Sequence, residues 1–402
     1  MNMVIKQKIK KIIRKFGYDI IKVQSQIKTP VEMLYALIEQ LWLHIDFTKV
    51  EKYHSCDYIN KFQLFFESYN DISGGRVLRF CCSAVAYPPG SNYFATAQET
   101  VNEIIKNHNN IITESKMFSL LGQKAEYRIG KFMSICSKCD LFQLKDWKDT
   151  DGRIHKICFN MHPSPCQSRC IYCSLRGNGK DMLKHPYNYE KVFDIVEYLK
   201  TNNMIAGDII WQIASGEITI HPFKERIYNL IGSQTAHFST NCFIYDKNIS
   251  KNLAVNQNSY INFSIDSGTS DTWKKVKRVD NFNIVLDNLH KYSAICILPE
   301  QIALKYIVLP GINDNLGDYH SIVEIMKSLR VKYLGVSCDL RERYKRNEEQ
   351  SKALIKATGH LLAILNKNDI SYSLDNSFFS PNELKCSVDF ANELSEKYPN
   401  FA

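Results

Sequence analysis

The sequence predicts an α/β protein: a parallel sheet covered by helices, either left open or rolled into a partial barrel. Two observations carry this. From about residue 150, six strand-like segments rich in apolar and β-branched residues alternate with helix-like segments, and each gap is long enough for a crossover helix. The 402 residues are 45% hydrophobic and 23% charged, a globular balance that excludes disordered and fibrous classes. At roughly 150 residues per domain, the length also leaves room for more than one domain.

Taken in order, residues 1–28 form a basic arm. Lys6, Lys8, Lys10, Lys11, Arg14, Lys15, Lys22 and Lys28 face one acid, Asp19, so this arm holds +7 of the formal net charge of +9. Ile5, Ile9, Ile12, Ile13 and Phe16 share one helical face that ends near Gly17. The segment lacks the uninterrupted apolar stretch and small-residue cleavage site of a signal peptide. Three readings stay open: a helix docked on its own protein, a helix lying on an anionic membrane surface, and a nucleic-acid arm. Residues 29–150 are less regular, with a helix over Pro30–Ile45, a Gly74-Gly75 turn and a Pro88-Pro89-Gly90 break. They read as a separate, smaller, cysteine-containing module.

Residues 151–342 hold the regular core. Its predicted strands are Ile154–Phe159, Asp208–Ala214, His237–Ile244, Tyr260–Asp266, Ala303–Leu309 and Val331–Cys338. Helices are expected at Tyr189–Thr201, Phe282–Tyr292 and Tyr319–Leu329. A helical extension over 343–402 follows, with a helix at Gln350–Leu365 and a short strand at Ile370–Leu374. Such folds place their chemistry in the loops after the strands. No run of about 18 apolar residues suits an ordinary membrane span.

The chain has 13 cysteines, an odd number spread over a long sequence, which suits a reducing cytoplasm better than a disulfide scaffold. After the first core strand comes a C-x3-C-x2-C run of Cys166, Cys170 and Cys173. Three thiolates so spaced on one loop suit three irons of a [4Fe–4S] cluster and leave the fourth iron open. A structural zinc site would need a fourth ligand, and His162 is near enough in sequence to supply it.

With an aromatic before its third cysteine, this run resembles that of the radical S-adenosylmethionine (SAM) superfamily. The resemblance extends over about residues 152 to 342 and implies a partial (β/α)6 TIM-type barrel. It implies that Cys166, Cys170 and Cys173 bind the cluster, that SAM chelates the open iron, and that Tyr172 neighbours the adenine. Ser215-Gly216-Glu217 is similar to the family's Gly-Gly-Glu turn, which holds the methionine amino group. Thr240-Asn241 is similar to its Thr-Asn-Gly turn, with Cys242 in place of the glycine. Ser264 and Asp266 resemble the Ser-x-Asp-Gly segment of peptide- and protein-modifying members and of relatives in surface-polysaccharide clusters. Strand alternation would put both on one face, toward the barrel interior, and the resemblance implies that they contact the ribose and methionine region of SAM. Lys305 is a candidate for the SAM carboxylate or a substrate anion, and Asp339 and Arg341 for substrate contacts.

The resemblance implies an oxidoreductase or transferase that cleaves SAM reductively and abstracts hydrogen from a substrate, a peptide, protein or glycan precursor. A one-electron donor such as flavodoxin or ferredoxin would serve it. The expected location is the cytoplasm, with contact through residues 1–28 at the inner membrane face. The alternatives are an RNA-modifying member, which the basic N-terminal arm would suit but which is not the favoured reading, and a non-catalytic zinc protein. Cys136 and Cys139 form a C-x2-C pair which, with Cys81, Cys82 and Cys56, makes a candidate second [4Fe–4S] or zinc site. Cys158, Cys242, Cys296 and Cys338 read as small buried hydrophobes. No Walker loop, G-x-S-x-G or H-E-x-x-H motif is present.

Overall fold

Alternating apolar positions build the strands, and apolar positions at helical spacing build the helices that cover them. The structure is a computed structural model. It describes residues 50–67, 77–80, 96–121, 136, 139, 141–147, 151–160, 165–173, 189–214, 216–342 and 345–397. The expected helices within 1–28 and Pro30–Ile45, the Gly74-Gly75 turn, the proline break, Cys81, Cys82, His162 and Ser215 lie outside the described residues.

The elements run β1 (Lys52–Ser55), α1 (Asp57–Asn60), β2 (Gln63–Glu67), β3 (Val77–Arg79), α2 (Ala97–Leu121), β4 (Gln143–Asp146), β5 (Ile154–Asn160) and α3 (Tyr189–Thr201). Then come β6 (Ile205–Ala214), α4 (Lys224–Ile231), β7 (Thr235–Ser239), α5 (Lys247–Val255), β8 (Tyr260–Ser264), α6 (Ser270–Lys277) and α7 (Phe282–Ile295). The chain closes with β9 (Ile302–Val308), α8 (Leu316–Ser328), β10 (Tyr333–Cys338), α9 (Glu348–Lys367), β11 (Ser371–Leu374) and α10 (Pro381–Lys397).

Among the described residues, nine strands join one sheet in the order β11-β10-β9-β8-β7-β6-β5-β2-β3. Its neighbours are parallel except the antiparallel pair β2–β3. The chain thus has the α/β fold of a partial TIM-type barrel, with each core strand near its expected place. The segment expected to stand apart divides. β1 and β4 form a two-stranded sheet of their own, whereas β2 pairs with β5 and extends the main sheet.

One face of the sheet is dry. Ile157, Phe159, Trp211, Phe238, Ile261, Phe263, Leu304 and Leu334 are buried in a continuous core. Against it pack helix faces such as Val192, Phe193, Ile195, Val196 and Leu199 of α3. The other, inner face is polar. One row across it runs Gln212, His237, Tyr260, and another runs Ser264, Lys305, Gly335, Ser373. These residues are half-buried or exposed. Many TIM barrels fill this space with layers of branched apolar side chains.

Two strands end earlier than expected, for one reason. Cys242 (φ 55) and Asp266 (φ 48) occupy the left-handed region, which breaks extended structure just after β7 and β8. Both lie at the C-terminal edge of the sheet, where the loops after β5 to β10 gather.

Candidate active site

The loop after β5 carries Cys166, Cys170 and Cys173, all half-buried and none in a disulfide. It is held at both ends. At the Cys166 end, Glu217 donates its backbone N–H to the Pro165 carbonyl (2.8 Å). Asn241 donates from Nδ2 to Gln167 Oε1 (3.2 Å) and lies 3.8 Å from the Cys166 sulfur. Burial pushes the Cys166 thiol above its ordinary pKa. At the other end, the N–H groups of Arg169 and Ile171 donate to the carbonyls of Lys277 and Val276, each at 3.0 Å. These carbonyls end α6 and lack partners within the helix, so the cysteine loop caps it. Ile171 and Tyr172 of this loop pack on a small apolar cluster of Val276, Ile307 and Leu309.

Glu217 ties the neighbouring turns together. Gly216, with φ 66, lets the chain fold back after β6. The buried Glu217 carboxylate then accepts four hydrogen bonds: from Thr219 N–H (3.1 Å), the Thr219 hydroxyl (2.8 Å), the Thr240 hydroxyl (2.9 Å) and Asn241 N–H (2.6 Å). Burial raises its pKa above the ordinary carboxylate value, and these donors oppose the rise. Asn241 is itself oriented by accepting from Phe243 N–H at 3.0 Å. Cys166, Glu217 and Asn241 therefore form one connected group.

Asp266 differs from its sequence expectation. Because β8 ends at Ser264, Asp266 does not share a strand face with it, and Asp266 is fully buried. Its Oδ1 accepts from Ile307 N–H (2.7 Å) and its Oδ2 from Lys277 Nζ and the Tyr172 hydroxyl (2.5 Å each). Lys277 also donates to the Tyr172 hydroxyl at 2.6 Å. The carboxylate thus faces the cysteine loop and α6. Lys277, 4% exposed, was not anticipated. Its signal is a lysine four residues after Trp273, on the buried face of α6.

Ser264 and Lys305 remain on the inner face, side by side in register. The Lys305 ammonium lies 3.7 Å from Asp375 Oδ2 and 4.5 Å from the centre of the Phe378 ring. Lys305, Tyr260, Asn262, Tyr333 and Asp375 line a hollow of about 490 Å³ on this face. Asp339 and Arg341 pair with each other, Nε to Oδ1 at 3.0 Å, and line a second hollow of about 400 Å³ with Ile171 of the cysteine loop.

Of the candidate second metal set, Cys56 and Cys136 are buried in the main core, and Cys139 donates its N–H to the Cys136 carbonyl at 3.0 Å. Among the described residues, no three His, Cys, Asp or Glu side chains converge tightly enough to hold one metal ion. That holds for the Cys166–Cys170–Cys173 triplet as well. Cys158, Cys242 and Cys338 are buried as expected, while Cys296 is half-buried.

Residues 162–329 match the family model described as the radical SAM superfamily. No curated protein matches the chain. Among solved structures, the chain is similar to SuiB of Streptococcus suis bound to its precursor peptide SuiA, with 11% identity, 65% of this chain and 62% of that one covered, and a TM-score of 0.42. It is similar to anSMEcpe with bound AdoMet at 16% identity, covering 54% and 61%, with a TM-score of 0.40. It is also similar to methylornithine synthase (PylB) at 11% identity, covering 60% and 70%, with a TM-score of 0.38. The chain spans about three fifths of the length of the SuiB structures it matches.

Proposed function

We propose that this chain, which carries a radical SAM superfamily domain, binds a [4Fe–4S] cluster through Cys166, Cys170 and Cys173 and cleaves SAM reductively. The observation that supports this most is the cysteine loop itself: three reduced, half-buried thiols after the first core strand, braced from α6 on one side and from Glu217 and Asn241 on the other. The donor set fits such a cluster. Thiolates on one zinc ion crowd around a metal with bonds of about 2.3 Å. A four-iron cubane holds each thiolate on a different iron. Three half-buried thiols spread along one loop suit that arrangement.

When bound, the cluster would supply the one-electron reduction that cleaves SAM for hydrogen abstraction from a substrate. The chain's own residues position the parts. Asn241 and Glu217 hold the Cys166 end of the loop. Ser264 and Lys305 offer a hydroxyl and an ammonium on the inner face, where Lys305 suits a carboxylate of SAM or substrate. The polar inner face, half-buried or exposed at the residues named above, suits a bulky polar substrate, and a peptide, protein or glycan precursor meets that description. A flavodoxin or ferredoxin would serve as electron donor. Cys136 and Cys139, with Cys56, Cys81 and Cys82, remain the candidates for a second metal. No helix among the described residues is long and apolar enough to cross a membrane.

Anaerobic purification tests the reading. A brown protein with about four irons per cluster that releases 5′-deoxyadenosine from SAM under dithionite is the expected result. A colourless protein holding zinc, with no SAM cleavage after iron–sulfur reconstitution, would refute it. Replacing Cys166, Cys170 and Cys173 together with Ala should remove one cluster, and any iron left measures the second site.

A further inference from the structure

The hollow of about 490 Å³ on the inner face carries one positive side chain, Lys305, and one negative, Asp375, and its lining is otherwise neutral. Its size falls within the ~300–1,000 Å³ of small-molecule sites.

The Lys305 side chain is only 27% exposed, yet among the described residues its ammonium forms no hydrogen bond. Asp375 Oδ2 lies 3.7 Å away, beyond the ~2.7–3.2 Å of an ordinary hydrogen bond. The Phe378 ring, 4.5 Å from the ammonium, attracts the charge but takes no proton from it. Asp375 is held from its other oxygen, Oδ1, which accepts from Ser377 N–H at 3.0 Å. Three N–H donors and a carboxylate therefore stand side by side at the hollow.

This pairing discriminates among ligands. A second carboxylate brought to Lys305 would also meet Asp375, and the like charge offsets the attraction. A trans peptide unit points its N–H and C=O in opposite directions, so it cannot serve both groups at once. Neighbouring hydroxyls on a sugar ring can, one accepting from Lys305 and the next donating to Asp375. Around them Asn262, Ser373 and Asn376 are exposed, offering further neutral hydrogen-bonding partners. Tyr333, 49% exposed, adds an aromatic surface on which the weakly positive C–H groups of a sugar ring can pack.

Gly335 makes the room. It stands beside Lys305 in register, and a Cβ there would meet only the Leu304 carbonyl oxygen, at an ordinary 3.6 Å. Neither crowding nor a positive φ calls for glycine at this position. What a larger side chain would take away is space in the hollow.

Resting on the SAM-cleavage reading above, we infer that this hollow is the substrate subsite and that it takes a saccharide. Lys305 and Asp375 bridge neighbouring hydroxyls, Tyr333 packs on the ring, and Gly335 sets the size admitted.

The test uses the whole chain, reconstituted anaerobically, with SAM present and no reductant. Saturation-transfer NMR reads binding of glucose, galactose, mannose, N-acetylglucosamine, N-acetylgalactosamine, glucuronate and a glutamate-containing peptide. The proteins are wild type, Lys305→Met, Gly335→Leu and Tyr333→Ala. At least one neutral sugar should bind the wild type. Lys305→Met should weaken it about tenfold or more, and Gly335→Leu should abolish it. Tyr333→Ala changes an exposed position, so it keeps the test decisive if Gly335→Leu does not fold, and it should weaken the same sugar about threefold or more. Binding of only glucuronate or the peptide, binding of none of the probes, or sugar binding that no variant alters overturns the inference. Release of 5′-deoxyadenosine by the same wild-type preparation under dithionite separates the two levels. Release without sugar binding overturns the saccharide inference alone. No release overturns the reading beneath, and the assignment of a substrate subsite falls with it.

Discussion

Glu217→Gln is the sharpest test of how the site is braced. The substitution keeps size and shape but replaces one carboxylate oxygen with an amide that can only donate. Oε1 can still serve the Thr219 N–H, the Thr219 hydroxyl and the Thr240 hydroxyl. The new amide then faces the Asn241 N–H, which now donates to Oε2 at 2.6 Å. One buried backbone donor is orphaned, at a cost of about 1–3 kcal/mol. The three surviving bonds lose their charge assistance, and relief from burying a charge offsets part of that loss. The net expectation is a loss of ~1–3 kcal/mol. Glu217→Ala orphans two backbone donors and opens a cavity, so its cost should reach about 3–5 kcal/mol. Urea unfolding of the iron-free protein at neutral pH measures both. The reasoning fails if Gln costs under ~0.5 kcal/mol, or if Ala costs no more than Gln. Because Asn241 also braces Gln167, the same variants should bind cluster iron less completely.

Three further outcomes are expected. Burial holds the His108 imidazole down to about 4, against an ordinary value of 6.5, with Nε2 at 2.7 Å from the Ile59 carbonyl. Its contribution is therefore full above pH 6.5 and is lost as pH falls toward 4. At most this is on the order of 3 kcal/mol, and His108→Gln should flatten the acid limb of the urea-midpoint profile. An unchanged limb assigns the acid sensitivity elsewhere, to His221 and His237, which burial also lowers to about 4. Arg346→Met strands Glu383, since the pair's side chains are 5% and 4% exposed, and should cost ~3–5 kcal/mol. Adding Glu383→Gln should restore most of that in the same unfolding assay. Gly268→Ala would put a Cβ 2.2 Å from the Asp318 carbonyl oxygen and 2.7 Å from Ser321 Cβ. Helix α8 would have to shift, at a cost of ~2 kcal/mol or more, visible as a lowered thermal midpoint.

The regular half of the fold was legible because its cues are local. Alternating apolar residues mark β5 to β10, and the C-x3-C-x2-C spacing marks the loop after β5. What escaped is non-local or backbone-specific. β2 is the short segment Gln63–Glu67, and nothing in it announces that it pairs beside β5, some ninety residues away. Asp266 reads as one more alternating strand residue until its φ of 48 shows that the strand has ended. Lys277 was not singled out, because only the fold brings Asp266 and Tyr172 to it. Side chains that meet across the site were harder to foresee than the loops that carry them.

The two faces of the sheet imply a division of labour under mutation. The dry outer face is packed against helices, so changes there are felt as lost stability. The wet inner face, with Asn262 and Ser373 exposed and Lys305 half-buried, contributes little to that packing. Residues along it can be exchanged with small thermodynamic consequence while reshaping the space between them. Such a face is open to adaptation: selection can alter what the hollow accepts without first repairing the scaffold that holds the cysteine loop.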